Sequence, residues 1–230
     1  MIETLYQAAT LIIPLMLAIV LHEIAHGWTA RALGDPTAAE QNRLSLNPLR
    51  HVDPVGTIIL PGILKLVGAP VFGWAKPVPV DKWRLRNPRF GMMAVAIAGP
   101  GMNLVLALLA AICMGLLARP FVEGGQPSEG WVFVALNLQN FLLINIFLAL
   151  FNLLPIPPFD GSHIVEGLLP ERAAATYDRL RVFGFPLLFI LLIGVPTLFP
   201  ELSIVEKVVL PPVEWLHGLY INVVRAVAGG

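Results

Sequence analysis

Three stretches of this chain, Leu5 to about Ala32, Met92 to Leu117 and Val132 to Leu154, are apolar for longer than the roughly 20 helical residues that cross a bilayer. In lipid a backbone must satisfy its own hydrogen bonds, so such stretches can only be helices or closed barrels. Their length and helix propensity select helices. A shorter fourth stretch, Val182 to Phe199, is interrupted by Pro186 and Pro196. Each span has a stop: Gly34-Asp-Pro36 after the first, Arg119-Pro120 after the second, and Pro155, Pro157 and Pro158 after the third. The composition agrees, with 57% apolar and 13% charged residues.

The expected fold is an all-α polytopic membrane protein with about five to six transmembrane helices in one domain over residues 1–230. Its core is expected over about 5–170 and its C-terminal helices over about 182–230. Fifteen basic residues balance fifteen acidic ones, so there is no positive field to gather nucleic acid. Cys113, the single cysteine, lies in the second span and reads as a core or lipid-facing residue rather than half of a disulfide. No basic segment precedes the first span, so that span is expected to stay in the mature chain.

Basic residues cluster after span one (Arg31, Arg43, Arg50), before span two (Lys76, Lys82, Arg84, Arg86, Arg89) and after span three (Arg172, Arg179, Arg181). Lys and Arg are retained on the cytoplasmic side, so span one runs inward, span two returns and span three runs inward again. The apolar stretch Val55 to Val71 would invert this order if it crossed. Pro54, Pro61 and Pro70 with Gly56, Gly62 and Gly68 argue against a crossing helix. A re-entrant element with short extended strands, including Val78 to Val80, is expected between the first and second core helices. The tail from Ser203 carries Glu206, Lys207, Glu214, His217 and Arg225 and is expected to cross from about Val213 as a weakly hydrophobic helix.

Residues 22–26 read His-Glu-Ile-Ala-His inside the first span, which puts His22 and His26 one turn apart on one face. Ionisable side chains in a span cost about 2.5–3.5 kcal/mol each on insertion scales, so a cluster of three needs a partner or a task. Two imidazoles at this spacing can share Zn2+, and Glu23 beside them can take a proton from a water at the metal. A catalytic zinc takes three protein ligands. The third should come from the same depth, where span three leads into Asn152-Leu-Leu-Pro-Ile-Pro-Pro-Phe-Asp160-Gly161. Asp160 is the candidate, its alternative being an Asp-Gly turn or helix cap.

These blocks, with Ala98-Gly-Pro-Gly-Met-Asn103, Asn47 to Gly56 and Phe72 to Pro79, resemble the site-2 protease family of intramembrane zinc metalloproteases, in a compact prokaryotic branch without appended PDZ or CBS domains. The resemblance extends over most of residues 15–170. It implies cleavage of a transmembrane segment of another protein, with His22, His26 and Asp160 as zinc ligands, Glu23 as general base and Asn152 holding substrate backbone. It also implies a multi-pass protein of a prokaryotic cell membrane with its active site toward the cytoplasm. The partners it implies are a substrate helix and the lipid bilayer, not nucleic acid. Asn145 shares a helical face with Asn152 and fits either substrate contact or packing. Asn103 has no evident chemical task, and its block reads as close helix packing through Gly99 and Gly101. His51 and His163 read first as interfacial polar residues, although each is placed where it could orient a ligand or stabilise an oxyanion. Ser162 stands where the family often has a second glycine. The rival reading is a metal transporter or a binding-only relative, since His and Asp in membranes also build ion pathways.

Overall fold

The computed structural model describes residues 2–66, 68, 73–122, 125–203 and 205–229. The first apolar stretch forms α1 (Ile2–Ala32). It ends where Gly34 takes φ +110°, a conformation that suits glycine. The Asp35 N–H then reaches back to the Ala30 carbonyl at 2.9 Å and the Gly34 N–H to Arg31 at 3.1 Å, closing the last turn. The second and third stretches form α3 (Pro88–Val122) and α4 (Glu129–Asn152). A short helix, α5 (Asp160–Leu168), follows the proline turn. The fourth span, α6 (Glu171–Leu198), winds as a 3-10 helix over Arg179–Phe183 and as a π-helix over Ile190–Gly194, ahead of Pro186 and Pro196 respectively.

The described residues form a mostly helical protein in which four helices are long and apolar enough to cross a membrane: Leu5–Ala32, Pro88–Pro120, Glu129–Asn152 and Glu171–Leu198. This is fewer than the five to six expected. The tail forms α7 (Leu210–Ala228), which Glu214, His217 and Arg225 keep outside that group. It packs along α3, where a Cβ at Gly115 would crowd Val224 and Val227 and where the Tyr220 hydroxyl donates to the Leu104 carbonyl at 3.1 Å. Small residues of α3, Ala107, Ala110 and Ala111, face Leu142 and Ile146 of α4, letting the backbones approach as membrane helices do.

Burial is inverted relative to a water-soluble protein. His22, His26, Asn103 and Asn145 are buried, whereas Leu11, Ile12, Val105, Leu109 and Leu143 are exposed. That distribution suits a solvent of lipid tails, and Cys113 is among the outward-facing residues.

The segment between α1 and α3 departs from expectation. Pro54–Leu66 is a helix, α2, opened by the Asp53 carboxylate capping the Val55 and Gly56 N–H groups at 3.0 and 2.7 Å. It is too short to cross. The Lys76 N–H meets the His51 carbonyl at 2.8 Å, so the excursion leaves and returns at one place. No strand occurs among the described residues, and the expected β element, Val78 to Val80 included, is not formed. Pro77 and Pro79 have no N–H for a ladder, and the remaining groups go elsewhere. The Trp74 N–H goes to Gly56, the Val78 N–H to Glu23, and the Lys76 and Pro77 carbonyls accept from Arg43. Residues 67 and 69–72, which the re-entrant expectation also covered, lie outside the described residues.

Asp35, fully buried, ties the end of α1 to the approach to α3. Its carboxylate accepts from the Thr37 N–H at 3.0 Å, the Asp81 N–H at 2.7 Å and the Thr37 hydroxyl. Burial alone would raise its pKa, but these hydrogen bonds and the nearby Arg84 charge outweigh it and hold the carboxyl below the usual carboxylate range. A lowered folded pKa stabilises the fold at pH above the unfolded value near 3.9 and stops doing so as pH falls through the folded value. Asp35→Ala is therefore expected to lower the unfolding free energy in detergent, by about 1–3 kcal/mol for each backbone group left unpaired. The difference from the unmodified chain should shrink as the unfolding series is carried to pH 3 and lower. A constant difference down to acid would refute this account.

Candidate metal centre

Helical geometry alone brings the two imidazoles together, but the third donor arrives through the fold. The proline turn after α4 carries the chain back so that Asp160, in the first turn of α5, faces α1. A Cβ at Gly161 would meet the Leu153 and Leu154 carbonyl oxygens, so glycine is needed for α5 to start this close to the turn. The His22 Nε2, His26 Nε2 and Asp160 Oδ2 atoms then lie 3.0, 3.2 and 3.4 Å apart. Donors about 2.0–2.2 Å from a tetrahedral zinc are separated by roughly 3.3–3.6 Å, so these atoms lie within a few tenths of an ångström of three corners of such a site. Asp160 Oδ2 is buried without a hydrogen-bond partner. A bare carboxylate oxygen facing two imidazole nitrogens suits a cation among them.

The outer edges of both rings are held. His26 Nδ1 lies 2.7 Å from the Val95 carbonyl, which can only accept, so Nδ1 carries the proton and Nε2 is free as a ligand. His22 Nδ1 lies 2.5 Å from Asn103 Oδ1. Asn103 was read from sequence as a packing residue, and the structure places it instead against a proposed ligand. Its position one helix away was not visible in a linear pattern. Gly99 has a similar history. A Cβ there would sit 2.5 Å from His26 Cε1 and 2.6 Å from His22 Cε1, whereas one at Gly101 would meet nothing within 4 Å. Gly99→Ala is expected to displace the imidazoles and weaken zinc binding by about tenfold or more, the scale seen when ligand orientation is disturbed. Gly101→Ala should leave it unchanged. Zinc competition with a chromogenic chelator measures both, and equal affinities would discount the steric role of Gly99.

Glu23 lines the same cavity, of about 670 Å³, together with the three donors and Asn152. Its Oε2 accepts from the Val78 N–H at 2.8 Å. Arg43, which the sequence reading used only as a topology marker, fixes that segment by donating to Lys76 at 2.6 Å and to Arg50 at 2.7 Å. Asn152 Nδ2 donates to the Leu148 carbonyl of its own helix at 2.9 Å. His163 also borders the cavity and takes a hydrogen bond from Arg181 at 2.7 Å. Burial, then the Arg181 charge, push its imidazole down to about 4, so it is neutral at physiological pH. His51 lies apart from this group. Its Nε2 donates to the Ser45 carbonyl at 2.8 Å, a buried tie within the loop that follows α1.

A sequence model of peptidase family M50 matches residues 128–195, which include Asn152 and Asp160 but not the His22–His26 block. The chain is 37% identical to "Putative zinc metalloprotease YwhC" of Bacillus subtilis over 200 residues, 84% of this chain and 85% of that one. It is 29% identical to "Putative zinc metalloprotease Rip2" of Mycolicibacterium smegmatis over 178 residues, covering 77% of this chain and 64% of that protein. To "Putative zinc metalloprotease MJ0611" of Methanocaldococcus jannaschii it is 33% identical over 147 residues, 64% of each chain. No solved structure matches the chain.

Proposed function

The chain belongs to peptidase family M50, and from that premise we propose that it is an intramembrane zinc endopeptidase that cuts a membrane segment of another protein with Glu23 as its base. It is a metalloprotease of this family with several apolar helices of a multi-pass membrane protein. The observation that carries the proposal is the convergence of His22, His26 and Asp160 on one point beside Glu23.

Zinc, when held there, would polarise a peptide carbonyl and make a water acidic enough to lose a proton near neutral pH. Glu23 would accept that proton and return it to the leaving amine, and the Val78 N–H keeps its carboxylate in place for both. His163, neutral and hydrogen-bonded by Arg181, borders the space without competing for the proton. A helix must unwind before its amides can be attacked. Asn152, on the cavity wall, would receive backbone groups freed by that unwinding. Lipid-facing helices around the cavity favour segments that partition into the bilayer as substrates, and the basic loops support a cavity open toward the cytoplasm of a prokaryotic cell.

A metal transporter could use the same His and Asp residues, but it has no need of a carboxylate base placed beside them. The test is metal analysis of the purified full-length protein in detergent, followed by cleavage of a panel of membrane helices and of soluble peptides. One zinc per chain and chelator-sensitive cleavage confined to the membrane helices is the expected result. Undiminished cleavage after the metal is stripped and verified absent would end the proposal.

A further inference from the structure

His22 and His26 solve the same problem differently. Each must keep Nε2 free of a proton to bind metal, which requires the proton to sit on Nδ1. For His26 a backbone carbonyl, Val95, enforces this directly at 2.7 Å. For His22 the neighbour is the Asn103 side-chain amide, whose two ends have nearly the same shape. Turned one way it offers an acceptor to His22, and turned the other way a donor that would force the wrong tautomer.

The direction is set further away. Asn103 Nδ2 donates to Asn145 Oδ1 at 2.8 Å, and Asn145 Nδ2 donates to the Phe141 carbonyl at 2.7 Å. The Phe141 carbonyl can only accept, so Asn145 must turn its nitrogen toward it and its oxygen toward Asn103. Asn103 must then present nitrogen to Asn145 and oxygen to His22. Both asparagines are 0% exposed, so bulk water does not compete for these partners. We propose that Asn103 and Asn145 are positioning residues, a one-way hydrogen-bond relay across three helices that holds His22 in the tautomer with Nε2 free for the metal. The proposal rests on His22 being a metal ligand. It gives the two asparagines a task that a plain interhelical contact lacks, because only a polarity-setting chain depends on which end of each amide faces which neighbour.

The full-length zinc-loaded protein, in detergent and labelled with 15N-histidine, reports the hydrogen bond directly. The His22 Nδ1–H resonance is identified as the one lost in His22→Ala. In the unmodified chain it should lie downfield and exchange slowly with water. Asn103→Leu and Asn145→Leu should each shift it upfield and speed its exchange. Zinc affinity by chelator competition should fall about 10–100-fold in the first and about tenfold in the second. Asn145→Asp should restore the resonance and come within about threefold of the original affinity, because a buried neutral carboxyl also donates to Phe141 and accepts from Asn103. An unchanged Nδ1–H resonance in both Leu variants, or its loss in Asn145→Asp, would overturn the relay. Zinc stoichiometry unchanged by His22→Ala would instead sink the metal reading on which the relay rests.

Discussion

Glu23→Gln is expected to leave zinc bound and to slow cleavage of a membrane helix by about 10²–10⁴-fold, the usual contribution of a positioned general base. The substitution isolates basicity. The amide oxygen of glutamine can still accept the Val78 N–H that now reaches Glu23 Oε2 at 2.8 Å, so the segment bordering the cavity keeps its anchor. The three converging donors are His22, His26 and Asp160, and Glu23 is not one of them. Metal content should therefore stay at the original stoichiometry while the initial rate of proteolysis collapses. A variant that cleaves within tenfold of the original rate would remove Glu23 from the mechanism and reopen the transporter reading.

Removal of Asp160 should act on the opposite quantity. Disturbing a residue that only orients a ligand costs about 10–100-fold in metal affinity, so deleting a ligand outright should cost at least about a hundredfold. Asp160→Ala leaves the two imidazole nitrogens 3.0 Å apart with no carboxylate to complete the set. Cleavage should fall with zinc occupancy and recover in part at high zinc concentration. His163→Ala is the comparison, because His163 borders the same cavity but is not among the converging donors. Its zinc affinity should stay within about threefold of the original. If Asp160→Ala bound zinc as tightly as His163→Ala, the third ligand would lie elsewhere.

The membrane helices and the His22–His26 pair were legible because both depend on neighbours in sequence. An apolar run long enough to cross a bilayer declares itself, and an i, i+4 spacing puts two side chains on one helical face wherever that helix packs. Asp160 was legible only as a candidate, from the depth at which the third span ends, since an Asp-Gly pair is more often a turn. The misreading of the β element has a local cause. Val78 to Val80 carries β-branched residues, but the Val78 N–H goes to Glu23, and the Lys76 and Pro77 backbone just before it pairs with Arg43 and His51 rather than with a strand.

Local pattern thus determined the helical, membrane-embedded class of this chain and the face from which two imidazoles project. Tertiary structure decided that Asp160 meets them, that Gly99 leaves them room, and that Asn103 and Asn145 stand behind His22. The division follows from range. Helix formation and bilayer insertion depend on adjacent residues, whereas a ligand set and its supporting hydrogen bonds depend on which helix faces meet, and one turn of rotation or translation would exchange one neighbour for another.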